Sequence, residues 1–417
     1  MLSCQKIKKH TEITVINSLR SLFRRIGKSK KIAKQFEQLP TPNLQLPTPN
    51  QIPNSQPKIS IALDASRGEG EQKTGVEIYS QKIIGGLLKS FPDQKITLYS
   101  RQKLDLSLPP KADNKYYSHQ KFFTIFFLQK EIIKEKPKLL FVPSAAIPFW
   151  ISDKTKCITT IHDLAFCVFP HLYSMEERLY LKNSTRRAVK NCSRLIVPSQ
   201  STKQDLIKYF SCPPEKIKVI NLGFDFPSSK NNFSPKNQFI FIGRIEDKKN
   251  LINTVRGFKE FLKKHKGYSL LLCGRDGFGA KKIREEARGE PVIKFLGFIT
   301  QEEKIKLIQE SRALLLPSFY EGFGLPILEA QSLRTPLICS DIPSNREIAG
   351  LGALFFHPRD PSDLARKLED SLDDKKTQKI ITEGNENITK FSWERCIRET
   401  SDLIREELGV CNFSYLK

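Results

Sequence analysis

Residues 313–330 read ALLLPSFYEGFGLPILEA. An apolar run of strand character ends in a turn holding Gly322 and Gly324, and Pro326 then falls in the first turn of a helix, where its missing N–H leaves no bond unmade. Glycines in such a turn let the backbone approach a ligand closely. The helix start that follows offers free N–H groups and a positive dipole end to a phosphate. Without a ligand, the same residues are a plain glycine-rich connection.

The strand and helix rhythm repeats on both sides of this stretch. Apolar, β-branched runs begin at residues 58, 95, 138, 156, 194 and 217; a second series begins at 239, 269, 292, 313, 336 and 353, after a polar gap at 228–237. That alternation predicts parallel sheets with crossover helices. A chain of 417 residues is long enough for two cores. The predicted fold class is therefore α/β, with two Rossmann-like doubly wound domains, 58–227 and 238–390, facing across a cleft. The strand C-termini should supply the ligand-binding loops of that cleft. Residues 391–410 are predicted as a C-terminal helix returning to the first domain.

A second stretch, residues 243–250 (GRIEDKKN), follows the run that begins at 239. Arg244 leaves the strand end and Lys249 is predicted in the first turn of the next helix, so a fork and a point charge can meet one phosphate group. Cations at a helix start oppose its dipole, a cost that an anion between them removes. A surface ion pair with Glu246 or Asp247 is the alternative. Glu321 and Glu329 bracket the glycine turn, and a carboxylate there can accept hydrogen bonds from two vicinal hydroxyls, as on ribose. Neither Gly322-x-Gly324-x-x-Ile327 nor Gly68-x-Gly70-x-x-Lys73 completes a dinucleotide fingerprint, which weighs against a nicotinamide-dependent sugar-nucleotide oxidoreductase. Gly70 and Gly75 are followed by Val76 where a P-loop needs Lys.

Residues 317–330 are similar to the E-x7-E signature of retaining glycosyltransferases of family 4, and residues 243–250 resemble that family's diphosphate motif. Further matches at 160–166 (TIHDLAF), 197–202 (VPSQST), 213–220 (PPEKIKVI) and 391–393 (FSW) extend the resemblance over roughly residues 58–405. It implies a GT-B fold and transfer of a hexose from a nucleotide-diphosphate sugar to a glycan or lipid-linked acceptor, with retention of configuration and without a metal. Likeness to a subgroup implies a mannosyl donor and a place in polysaccharide biosynthesis. The first domain would take the acceptor and the second the nucleotide sugar. Arg244 and Lys249 would neutralise the diphosphate, with Gly243 opening their segment. Glu329 would bind the ribose hydroxyls and Glu321 the transferred sugar. The backbone of Gly322, Phe323 and Gly324, with Leu325, would lie beside sugar and diphosphate, and His162 would face the sugar from the first domain. Gly75 matches the glycine loop after the first strand, although Glu77 stands where the family commonly has a second glycine. No resident cofactor is implied, since the nucleotide sugar is a substrate. The chain has no Asp-x-Asp pair of the kind that holds Mg²⁺ or Mn²⁺ in the other main glycosyltransferase architecture.

The formal net charge of +24 asks for an anionic partner: nucleic acid, an acidic membrane surface or a phosphate-bearing substrate. Residues 1–37 carry ten Lys/Arg against two Glu. Val15, Ile16, Leu19, Leu22, Phe23 and Ile26 recur there at helical spacing, the pattern of a basic amphipathic tail that lies on a membrane or packs on a partner. A nucleic-acid-binding module would instead interleave basic residues with exposed aromatics. Residues 38–57 contain QLPTPN twice and read as a Pro-rich linker. The nine cysteines form no C-x-x-C pair and no metal-ligand cluster with His. With no long apolar run and no signal-peptide pattern, the expected location is the cytoplasm, peripheral on the inner face of the plasma membrane.

Overall fold

A computed structural model describes residues 60–67, 75–103, 109–117, 123–225 and 235–410. The basic tail and the Pro-rich linker lie outside the described residues. Among the described residues, thirteen strands form two all-parallel sheets. The first sheet takes β1 (Ser60–Asp64), β2 (Lys95–Ser100), β3 (Ala112–Tyr116), β4 (Leu139–Val142), β5 (Lys156–Thr160), β6 (Arg194–Val197) and β7 (Ile217–Val219), in the order β3-β2-β1-β4-β5-β6-β7. The second takes β8 (Lys236–Ile242), β9 (Ser269–Cys273), β10 (Ile293–Gly297), β11 (Ser311–Leu316), β12 (Leu337–Ser340) and β13 (Leu354–Phe356), in the order β10-β9-β8-β11-β12-β13. Both are doubly wound, and each reverses direction beside its first strand.

The central strands read as unbroken apolar runs because helices cover both faces of each sheet. All four residues of β4 and of β12 are buried. β3 is the strand that this pattern does not reveal. Its sequence, ADNKY, pairs with β2 through Ile96↔Ala112 at the sheet edge, where half-exposed polar side chains suffice. β8 begins at Lys236, three residues before the apolar run, because the edge of the ladder can recruit polar residues.

The final helix, Trp393–Leu408, opens on an N-cap in which Ser392 accepts from the Arg395 N–H, and it packs on helix Gly75–Ser90 of the first half. Two glycines make room for it. A Cβ on Gly86 would come 2.4 Å from Ile397, and one on Gly223 would come 2.4 Å from the Trp393 backbone. One apolar cluster runs through both halves, from Ile61 and Leu139 past Trp393 and Phe323 to Ile240 and Leu314.

Candidate active site

The two stretches singled out in the sequence meet because β8 and β11 are neighbours at the point where the second sheet reverses, with Ile240 opposite Leu314 and Phe241 opposite Leu315. The loops leaving the carboxyl ends of these strands therefore share one crevice. Asn250 locks them together. Its amide donates to the carbonyls of Pro317 (3.0 Å) and Pro358 (2.6 Å), and Phe319 N–H donates to the Lys248 carbonyl.

Lys249 is not in the first turn of the following α-helix, as its sequence position suggests. It ends a single 3₁₀ turn, Asp247–Lys249, and Asn250 adopts a left-handed conformation (φ 57°) before helix Leu251–Lys264 begins. The break tucks the Asn250 amide inward, so Lys249 leaves the chain from a tight turn. Its Nζ lies 2.6 Å from Glu321 Oε1, which also accepts from Ser318 Oγ at 2.5 Å. Arg244 is mostly exposed, its stem lying over Gly277, and its nearest carboxylate partner, Glu246, is 3.9 Å away, beyond hydrogen-bond reach. The guanidinium is thus not committed to the surface ion pair that competes with phosphate binding.

In the glycine turn, Gly324 (φ 93°) caps helix Leu325–Ser332, a left-handed position that a side chain would strain. Gly322 meets a tighter constraint. A Cβ there would lie 1.9 Å from the His162 carbonyl oxygen of the first half. Its own carbonyl accepts from Ser199 Oγ (2.7 Å) and Thr202 Oγ1 (3.3 Å), both fully buried. Leu325 reaches Gly75 across the same junction, 3.3 Å from where a Cβ on that glycine would sit. Phe323 turns into the core against Phe391 and so offers the crevice only its backbone.

His162 donates through Nε2 to the Pro143 carbonyl at 2.9 Å, because a carbonyl can only accept, and its ring packs edge-on against Tyr79. Burial lowers its pKa, so the ring is neutral at pH 7. Glu329 is 9% exposed. Lys304 Nζ holds its Oε1 at 2.5 Å, while Oε2 is buried without a hydrogen-bond partner. A buried carboxylate oxygen left bare is costly, and a ligand hydroxyl would satisfy it.

Several residues at the junction carry no local sign of their role. Lys248 lies between Asp163 (3.6 Å) and Glu246 (4.0 Å). Burial alone would lower its pKa, but Asp163, Tyr173, Glu321 and Glu246 together raise it, so this ammonium is a fixed charge. Tyr320 donates to Asp205 at 2.7 Å. The Glu347 carboxylate accepts the free N–H groups of Gln200 and Ser201 at the start of helix Gln200–Phe210. The one available hint was the Ser-x-x-Thr spacing of Ser199 and Thr202, an N-cap pattern whose second use, on Gly322, belongs to the tertiary structure.

A family model described as glycosyl transferases group 1 matches residues 225–387, and one described as Glycosyltransferase Family 4 matches residues 100–226. The chain is 24% identical over 361 residues to O-antigen chain mannosyltransferase B of Escherichia coli, covering 78% of this chain and 94% of that one. It is 28% identical over 204 residues to O-antigen chain mannosyltransferase RfbU of Salmonella typhimurium, covering 48% and 56%. Among solved structures it is similar to sucrose-phosphate synthase from Thermosynechococcus elongatus, with a TM-score of 0.65 and 18% identity over 84% of this chain and 99% of that one. It is also similar to Anabaena Alr3699/HepE in complex with UDP-glucose, with a TM-score of 0.62 and 16% identity over 84% and 100%. At these identities the structural matches carry the fold.

Two measurements test this geometry. Gly322→Ala should lower the catalytic rate about a hundredfold, the scale of an ångström-sized misplacement in an active site, while each half still unfolds cooperatively; a rate near wild type would mean the two backbones need not touch. For His162, a folded pKa below the unfolded value of about 6.5 means that the unfolded chain binds more protons, so stability is complete above that pH and falls as pH drops below it. His162→Gln, which keeps a donor for Pro143, should flatten the decline in melting temperature between about pH 6.5 and 5.

Proposed function

We infer that this chain, a glycosyltransferase of the GT-B fold, moves a hexose from a nucleotide-diphosphate sugar to a glycan or lipid-linked acceptor, with retention of configuration and without a metal. The observation that carries this reading is that β8 and β11 are neighbours, so that the loop bearing Arg244 and Lys249 adjoins the glycine turn that opens helix Leu325–Ser332, with Lys249 on Glu321. A donor diphosphate placed there meets two cations and free backbone N–H groups already in position, the arrangement that stabilises charge developing on a leaving group. Lys249, poised on Glu321, can exchange that carboxylate for phosphate and free Glu321 for the sugar hydroxyls. Glu329 offers its bare Oε2 to a ribose hydroxyl while Lys304 holds the other oxygen. The neutral His162 and the Gly322 backbone lie on the sugar side, and the departing phosphate helps take the acceptor's proton on the same face. A mannosyl donor is favoured by the O-antigen mannosyltransferase relatives, and a nucleotide sugar by the neighbour solved with UDP-glucose.

Arg244→Ala and Lys249→Ala should each reduce transition-state stabilisation by about 2–4 kcal/mol in kcat/KM, and turnover should survive EDTA. Loss of turnover in EDTA that Mg²⁺ or Mn²⁺ restores would end the metal-free reading.

Glu329→Ala should chiefly raise the donor KM, by about 1.5–3 kcal/mol, because a ribose contact exists in ground and transition states alike. A 2′-deoxy donor should lose little further affinity in that variant. Additive losses would show that the two groups do not touch.

A further inference from the structure

Several large apolar side chains of the first half are left in water. Trp150 is 52% exposed, Met175 71%, Leu179 49% and Tyr180 41%. Met175 and Leu179, four apart in the opening turns of helix Met175–Asn191, share a side of it, and Tyr180 lies on the adjoining side. Tyr180 and Arg187 are seven apart on that helix, and the Arg187 guanidinium lies 3.9 Å from the centre of the Phe149 ring, beside Trp150. Arg187 thus links the Tyr180 side of the helix to Phe149, the chain neighbour of Trp150. Ser184, Thr185 and Ala188 are the buried residues of this helix, and Leu181 and Val189 pack partly buried against the core, so Met175, Leu179 and Tyr180 are the large apolar side chains it leaves outside. Burying one large apolar side chain is worth about 1.5–3 kcal/mol, so a cluster of them in water marks a surface that something covers.

Charge selects the occupant. Lys182, Arg186 and Lys190 are exposed along the same helix, and Lys154 and Lys156 are exposed beyond Trp150. Glu176 and Glu177 sit in the first turn, where the helix dipole favours them, and Asp153 is the acidic residue beside Lys154. A second copy of a chain with net charge +24, or its own residues 1–37 with ten Lys/Arg, would bring like charge against like. Apolar side chains bordered by Lys and Arg match the boundary between acyl chains and anionic headgroups.

We propose that the face formed by Phe149, Trp150, Met175, Leu179 and Tyr180, with Lys182 and Arg186, docks on an anionic lipid bilayer. The patch starts at the rim of the active site. Two residues before Met175, Tyr173 lies beside Lys248, and Phe169 packs against Phe319 at 5.8 Å. Docking there presents the junction of the two halves to molecules carried in the membrane. The proposal rests on the transferase reading only for its consequence, that the acceptor is lipid-borne.

The chain has two tryptophans, and Trp393 is buried away from any added lipid, so a vesicle-induced shift in the emission of the full-length protein reports Trp150. Vesicles of phosphatidylglycerol and phosphatidylcholine should shift that emission to the blue, whereas phosphatidylcholine alone should not. Trp150→Phe should abolish the shift. Lys182→Ala combined with Arg186→Ala should raise the lipid needed for half the shift on the order of thirtyfold, as expected for two cations each contributing about 1 kcal/mol at an acidic surface. Vesicles that sediment the protein while Trp150 emission stays unshifted would overturn the proposal and move lipid contact elsewhere in the chain. An equal shift with neutral vesicles, or one that persists in Trp150→Phe, would overturn it as well. Neither arm reads catalysis, so failure of the transferase reading would show separately, in donor turnover.

Discussion

The backbone of Gly322 lies against the His162 carbonyl with no space for a single carbon between them, and its own carbonyl is held by the buried hydroxyls of Ser199 and Thr202. This contact joins the glycine turn to the first half of the molecule. It sets where the start of helix Leu325–Ser332 stands relative to His162, and so what shape of ligand the crevice can hold. The neighbouring contacts follow from it: Tyr320 on Asp205, Lys248 on Asp163, and Glu347 on the bare N–H groups that open helix Gln200–Phe210. Each is polar, and each pairs a group of one half with a group of the other. Polar contacts of this kind specify a register between two bodies that a shared apolar cluster alone would leave free to slide.

Electrostatics at the junction are arranged in advance of any ligand. Lys248 and Lys249 are held by carboxylates, whereas Arg244 extends into solvent with its nearest carboxylate 3.9 Å away. On the proposed reading a diphosphate meets positive charge already gathered there, with Lys249 exchanging Glu321 for phosphate, and in a partly desolvated crevice that attraction is worth more than it would be at the surface. Glu329 has one oxygen anchored by Lys304 and the other buried without a partner, which the proposed function assigns to a ribose hydroxyl. The proposed docking patch around Trp150 would apply another principle, burial of apolar surface bordered by cations, to position the same crevice at a lipid boundary.

Much of the architecture was legible in the chain because strands covered on both faces must be apolar throughout, and twelve such runs stand out between turn residues. The glycine turn was legible for a different reason. Gly322 and Gly324 followed by Pro326 at a helix start is a local conformational requirement, and local requirements are written in adjacent residues. β3 escaped notice because an edge strand needs no apolar run, and the 3₁₀ turn before Asn250 because its cause lies 67 and 108 residues away, at the carbonyls of Pro317 and Pro358.

By itself the sequence determined the class of fold, the strand ends that carry ligand loops, and the candidate residues from Arg244 to Glu329. Only the tertiary structure decided which of them meet. The order of strands in the second sheet brings β8 beside β11 and so Lys249 to Glu321. The packing of one half on the other brings Gly322 to His162, and a helix distant in sequence supplies Lys304 to Glu329. Periodicity and turn chemistry act over a few residues, whereas these contacts join groups separated by 25 to 160 positions. Strand adjacency and domain packing, which minimise exposed apolar surface across the whole chain, are what place them within reach.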